Sequence, residues 1–286
     1  MTASAAALLE VDGVSKAFKG LLALRDHTLR VSSGEIVGVI GPNGSGKSTL
    51  FNLITGFLRP TTGQIRFAGV DTGRLEPAHI ARLGIARTFQ GTRLFKSLSV
   101  FENVRAATQL RHPINLLEAI SGLGRGAQSA RQTDSSAWEL LELVGLSARA
   151  DVLAGRLPYG EQRLLEIARA LGTQPRMLLM DEPAAGLDST ETAALLTLLQ
   201  RIRDQFGVAV VVIEHDMDLI MNLCEKILVL AHGETICEGT PRAVQADPRV
   251  REAYLGTEHL ETETLESESL KTEHLETEAG ASRAHG

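Results

Sequence analysis

Residues 41–49, Gly41-Pro42-Asn43-Gly44-Ser45-Gly46-Lys47-Ser48-Thr49, have the spacing G-x-x-x-x-G-K-[ST]. Glycines so placed let the backbone turn until successive N–H groups point inward, which is what phosphate oxygens require. A helix beginning at Lys47 adds the partial positive charge of its N-terminus. In this pattern the lysine ammonium serves the β- and γ-phosphates, and the next hydroxyl, here Ser48, is a Mg²⁺ ligand. The flanks suit the motif. Ile36-Val37-Gly38-Val39-Ile40 has the pattern of a short buried strand, and residues 47–55 that of a helix. The chemistry this predicts is binding of a nucleoside triphosphate with Mg²⁺.

A second pair is Asp181-Glu182, directly after the apolar run Met177-Leu178-Leu179-Met180. One carboxylate at a strand end can hold a Mg²⁺ shell and its neighbour can polarise an attacking water. Alone, two acids after a strand are more often a solvated turn; the glycine loop upstream favours the chemical reading. His215 follows the apolar run 208–213 and Glu214. A lone histidine there is usually structural. It becomes a candidate for the γ-phosphate because ligands bind at the carboxyl ends of parallel strands.

These residues need elements to position them. Apolar runs at 36–40, 177–180, 208–213 and 227–230, with a helical pattern over 191–205, predict an α/β fold with a parallel sheet covered on both faces. The first 35 residues and 64–70 alternate and carry turn residues, as antiparallel strands do. From about Arg105 to Ala154 there is no strand pattern, residues 138–144 have helical periodicity, and Gly122, Gly124 and Gly126 suggest a loop. This stretch is expected to belong to an inserted helical subdomain. No apolar run approaches the ~20 residues a membrane-crossing helix needs, and the N-terminus lacks the features of a secretory signal. Cys224 and Cys237 have neither metal nor disulfide spacing. The expectation is a soluble cytoplasmic protein.

The chain carries 29 basic and 35 acidic residues. Residues 257–286 hold eight glutamates against Lys271 and Arg283, which leaves 27 of each sign upstream. The net charge of −6 therefore belongs to the tail, and no basic excess points to nucleic acid. The tail repeats TEHLETE at 257–263 and 272–278. So polar a stretch buries too little apolar area to offset its ordering entropy, so it is expected to be disordered, or else a short amphipathic helix that docks on a partner.

Taken in order, GPNGSGKST (41–49), Gln90 in ARTFQ, LPYGEQ (157–162), LLMDE (178–182), AGLD (185–188) and IEH (213–215) resemble the motif series of ABC transporter ATP-binding subunits. ARTFQGTRLFKSLSVFENV, LPYGEQRLLEIARAL, MDEPAAGLD, VVIEHDMDLIM and REAYLG are similar in particular to the LivG-type branched-chain amino acid transport ATPases. The resemblance spans residues 8–256. It implies a P-loop NTPase (RecA-like) core with a parallel sheet, an N-terminal antiparallel β-subdomain and a helical subdomain over about 91–172. It also implies ATP and Mg²⁺ as ligands, and a head-to-tail dimer with a related but distinct second subunit. Separate transmembrane permease subunits, an indirect link to a periplasmic solute-binding protein and a place on the cytoplasmic face of the membrane follow from the same resemblance.

Carried over residue by residue, Glu182, His215 and Gln90 would be catalytic, and Ser48, Gln90 and Asp181 would surround Mg²⁺. Phe18 would stack on adenine, the alternative being a core residue of the β-subdomain. Pro158, Tyr159, Gly160 and Glu161 would cap the γ-phosphate bound on the opposite subunit, and Asp188 would lie at the dimer interface. Leu164, Ile167, Ala168 and Leu171 have helical spacing and suit a core. Where the family's signature usually reads LSGGQ this chain has LPYGE, and Pro158 offers a phosphate neither hydroxyl nor N–H. The apolar cluster Leu94, Phe95, Val100 and Phe101 is expected to line a groove for a permease loop. Rival classes are a soluble ABC ATPase acting on DNA or ribosomes, disfavoured by the single cassette and neutral body, and a non-hydrolysing sensor, disfavoured by the intact Lys47, Asp181, Glu182 and His215. Within transporters, urea uptake and lipopolysaccharide export are the alternative cargoes. Deleting residues 257–286 is expected to leave the melting temperature and ATP hydrolysis unchanged; a large fall in either would show that the tail packs on the body.

Overall fold

The computed structural model describes residues 7–89, 91, 93–110 and 125–254. Gln90, Gly122, Gly124 and the acidic tail lie outside the described residues. A four-stranded antiparallel sheet holds β1 (Leu9–Phe18), β2 (Leu21–Val31), β4 (Thr62–Phe67) and β5 (Val70–Asp71) in the order β2-β1-β4-β5. A six-stranded sheet has the order β10-β9-β3-β8-β7-β6. Its strands are β3 (Ile36–Ile40), β6 (Ile85–Arg87), β7 (Met177–Asp181), β8 (Ala209–Ile213), β9 (Lys226–Ala231) and β10 (Glu234–Gly239), parallel except for β10.

The period of two along these strands divides the core. Val37, Val39, Leu179, Val211 and Leu228 face one way and pack with the antiparallel sheet and with α1 (Lys47–Ile54). Ile36, Ile40, Leu178, Met180, Val210 and Val212 face the other way and pack with helices. β3, β7 and β8 are buried along their whole length, as near-continuous apolar runs in a sheet covered on both faces should be.

The helices are α1, α2 (Pro77–Leu83), α3 (Val100–Gln109), α4 (Arg125–Leu143), α5 (Tyr159–Gly172), α6 (Ser189–Phe206), α7 (Met217–Leu223) and α8 (Pro241–Ala246). Capping boxes set the starts of α3, from Ser99 and Glu102, and of α6, from Asp188 and Glu191. The second half of α4 carries the helical periodicity read at 138–144, and no strand interrupts the described part of 105–154. Short elements not visible in the sequence pattern include α2, α7, α8, the three-residue β6 and the antiparallel edge strand β10. β6 pairs with β7 over Ile85–Arg87, too short for periodicity to register. Among the described residues no helix is long and apolar enough to cross a membrane.

Cys224 is buried against the core, and that burial pushes its thiol up to about 12, whereas Cys237 is half-buried. At pH 8 roughly one Cys224 thiol in ten thousand is then the reactive thiolate. A thiol reagent should modify Cys237 in the native chain and Cys224 only after denaturation; rapid native labelling of both would contradict this packing.

Candidate active site

The parallel strands place their carboxyl ends on one edge, where the loops after β3, β6, β7 and β8 meet. Gly41 leaves β3 at φ 149°, and a Cβ there would lie 2.0 Å from the Leu230 carbonyl oxygen of β9. Gly46 caps α1 at φ 108° with no side-chain cap, so the first N–H groups of that helix face the loop. Lys47 is buried and donates to the carbonyls of Gly41 (2.6 Å) and Pro42 (3.0 Å). Burial lowers its pKa, while the Glu182 and Asp181 carboxylates oppose that shift. The Ser45 backbone is held from the β9–β10 turn, where Gly233 N–H donates to its carbonyl at 3.2 Å. Ser45 Oγ is buried with no hydrogen-bond partner among the described residues.

A cavity of about 190 Å³ opens here, lined by Asn43, Gly44, Ser45, Gly46, Lys47, Ser48 and Thr49 and, from the neighbouring strand ends, by Glu182 and His215. Glu182 Oε1 and His215 Nε2 lie 2.6 Å apart. Glu182 holds φ 48°, a left-handed conformation unusual for a residue with a side chain, and its N–H donates to Ile213 O of β8 at 2.9 Å. Asp181 ends β7 buried, in an ion pair with Arg87 at 3.1 Å. An orphaned hydroxyl, inward-facing N–H groups and an ammonium make a cradle for phosphate. The Ser48 hydroxyl and the Asp181 carboxylate are oxygen donors of the kind that Mg²⁺ takes alongside substrate phosphates.

A family model described as ABC transporter matches residues 24–185, more than half of the chain. The chain belongs to the ABC transporter family. A second model, described as branched-chain amino acid ATP-binding cassette transporter, matches residues 234–260. The high-affinity branched-chain amino acid transport ATP-binding protein BraF of Pseudomonas aeruginosa is 43% identical over 87% of this chain and 98% of its own. LivG of Escherichia coli, a protein of the same description, is 41% identical over 87% and 98%. The lipopolysaccharide export system ATP-binding protein LptB of Escherichia coli is 34% identical over 88% and 98%. Among solved structures, an ATP-binding cassette of an ABC transporter in its ADP conformation superposes with a TM-score of 0.75 at 32% identity, covering 87% of this chain and 99% of that one.

Among the described residues, the remaining positions read from the sequence of this ABC cassette lie outside the cavity lining. Phe18 is exposed at the end of β1 with the Lys16 ammonium 5.1 Å from its ring centroid, so it is not a core residue of the antiparallel sheet. Pro158 caps α5, Tyr159 is exposed, and Glu161 pairs with Arg149 at 3.5 Å. Gly160 is buried against α6, where a Cβ would come within 2.3 Å of Glu191 Oε1. Asp188 caps α6 by accepting from Glu191 N–H at 2.8 Å. Ile167, Ala168 and Leu171 are buried and Leu164 packs against the same core, as their spacing predicts.

The expected apolar groove is present but is built differently. A groove of about 630 Å³ runs between α2 and α5, with Phe57, Ile80, Phe89, Arg93 and Phe95 in its walls. Of the four residues expected to line it only Phe95 does. Leu94 and Val100 are buried in the core, and Phe101 packs on Trp138 with ring centroids 5.1 Å apart. The capping box at Ser99 starts α3 at Val100, and in that helix Val100 and Phe101 face the core and α4, which an apolar cluster alone does not reveal.

Four contributors were missed. Arg87 reaches Asp181 from β6. Arg163 donates to Phe89 O at 2.8 Å, and Glu166 accepts from Arg93 N–H at 2.9 Å, so α5 holds the strands of chain on both sides of position 90. Glu214 is buried and accepts from the N–H groups of Ala184 (2.8 Å) and His215 (3.2 Å), tying the loop after β7 to that after β8. Burial raises its pKa against those two N–H donors. Nothing in the spacing of Glu214 marks it apart from its neighbour His215. Replacing Glu214 with alanine leaves the half-buried Ala184 N–H without that acceptor, which costs up to about 1–3 kcal/mol. That should lower the melting temperature by roughly 2–10 °C in a chain of this size; an unchanged melting temperature would show that the tie is not stabilising.

Proposed function

We propose that this chain is the ATP-hydrolysing subunit of an ABC importer for branched-chain amino acids, working at the cytoplasmic face of the membrane. The observation that carries the catalytic part is the 2.6 Å approach of Glu182 and His215 beside the glycine loop. Lys47 and the N–H groups of 41–49 bind the phosphates of ATP, and Gly46 gives α1 its open N-terminus toward them. Glu182 polarises the attacking water, and His215 orients that carboxylate and faces the γ-phosphate. Ser48 and Asp181, with Gln90, are the residues that would hold Mg²⁺, which when bound neutralises charge on the β- and γ-phosphates. Phe18, exposed at the end of β1, stacks on adenine, a contact of about 1–3 kcal/mol.

A second cassette completes the unit head to tail, and in our reading it is a related but distinct subunit. Pro158, Tyr159, Gly160 and Glu161 then face the nucleotide held by that partner, with Asp188 at the interface. Residues 8–256 form the cassette, with residues 91–172 as its helical subdomain and 257–286 as an appended acidic tail. The groove beside Phe95 receives a loop of a separate permease, which meets a periplasmic solute-binding protein on the other side of the membrane. Branched-chain amino acids are favoured over lipopolysaccharide because relatives of the first description reach 41–43% identity against 34%, and because of the match at 234–260. Urea uptake is the remaining alternative.

The test captures the complex from its native membrane and compares it with two variants. Lys47→Ala should lose nucleotide binding. Glu182→Gln should bind ATP, accumulate as an ATP-bound dimer and turn over at least about a hundredfold more slowly. Wild-type turnover by Glu182→Gln removes Glu182 from its role, and a co-purifying permease that moves only another solute class removes the cargo.

A further inference from the structure

Arg87 lies in the ARTFQ stretch but carries none of the roles described above, and its side chain is buried where β6 meets Asp181 and α1. Its guanidinium donates to Asp181 Oδ2 at 3.1 Å and to Asn52 Oδ1 of α1 at 2.7 Å. It also sits 5.5 and 5.0 Å from the ring centroids of Phe51 and Phe89. The side chains of the ion pair are 9% and 12% exposed. Arg87 lines the large groove and not the phosphate cavity. Its charge is therefore directed at Asp181, unlike that of Lys47, which lines the cavity itself.

A carboxylate this buried needs a compensating charge whenever no metal ion is beside it. Arginine supplies one that no ordinary pH removes. The same fixed charge must then repel a dication arriving at that carboxylate, and it competes for the carboxylate oxygens. We propose that Arg87 is the resident counter-ion of Asp181, neutralising it in the metal-free cassette and thereby weakening the site's grip on a divalent cation. The inference rests on Asp181 belonging to the Mg²⁺ shell. It makes Arg87 a positioning residue that never touches the nucleotide. Its consequence is a cation held loosely enough to leave with the product at each cycle.

The opposite role is a scaffold that merely orients Asp181, and it carries the opposite sign. The experiment uses the full chain loaded with a non-hydrolysable ATP analogue, with Mn²⁺ binding followed by the paramagnetic resonance of the free ion. Arg87→Met removes charge and hydrogen bonds, Arg87→Gln keeps a donor without charge, and Arg87→Lys keeps the charge. The first two should bind Mn²⁺ about tenfold more tightly than wild type, and Arg87→Lys within about threefold of it. Nucleotide affinity in the presence of a chelator should stay within about twofold in all three. Unchanged or weaker Mn²⁺ binding in a variant that retains a cooperative melt overturns the proposal; if Arg87→Met fails to fold, Arg87→Gln against Arg87→Lys decides. Asp181→Asn with wild-type Mn²⁺ affinity would instead remove Asp181 from the metal shell, which separates failure of the underlying assignment from failure of the role given to Arg87.

Discussion

A side-chain atom at position 41 would lie 2.0 Å from the Leu230 carbonyl oxygen, so β3 can end beside β9 only if its next residue is glycine. That contact fixes where the loop begins. The far end of the loop is fixed by Gly46 at the head of α1 and by the hydrogen bond from Gly233 to Ser45 O. The sheet thus clamps the loop backbone at both ends, and the phosphate-facing N–H groups are arranged before any ligand arrives. Preorganisation of this kind is what lets backbone dipoles stabilise developing charge without reorganising.

Around that clamp the charges are arranged in opposition. Lys47 and Arg87 bring two cations from one side of the sheet edge, and Asp181, Glu182 and Glu214 bring three carboxylates from β7 and β8. Each is tethered to backbone or to a partner: Lys47 to the Gly41 and Pro42 carbonyls, Asp181 to Arg87, Glu182 to His215, Glu214 to two N–H groups. The Lys47 tether stays within the loop after β3, but the others join loops that come from different strands, so the site depends on β6, β7 and β8 keeping their parallel register. It has no separate scaffold of its own.

The amino-acid sequence made much of this legible. Lys47, Ser48, Glu182 and His215 were each marked by a motif or a strand end, and their convergence on one cavity follows from parallel topology. The buried runs at 36–40, 177–180 and 208–213 were legible because a sheet covered on both faces needs uninterrupted apolar strands. Residues whose role depends on a partner distant in sequence were not legible. Arg87 lies 94 positions from Asp181 and sits in a strand of three residues. Glu214 resembles any acid after a strand until its two N–H donors are placed. Leu94, Val100 and Phe101 have the composition of a binding surface, but all three pack against the core, the last two from a helix that the cap at Ser99 starts. Helix capping is written in the sequence as Ser99 and Glu102, and reading it would have placed two of those side chains on that helix.

Glu182 occupies a backbone conformation that glycine or asparagine adopts more readily, yet its carboxylate is the group to which the proposed mechanism gives the attacking water. The strain is of the order of 1–3 kcal/mol and is held by the sheet on either side. Stability and turnover therefore pull this position in opposite directions. Selection for thermal robustness alone would drift toward Glu182→Gly, producing a hardier chain that grips nucleotide and does nothing with it. The glutamate marks a place where the cassette remains less stable than its own backbone would allow.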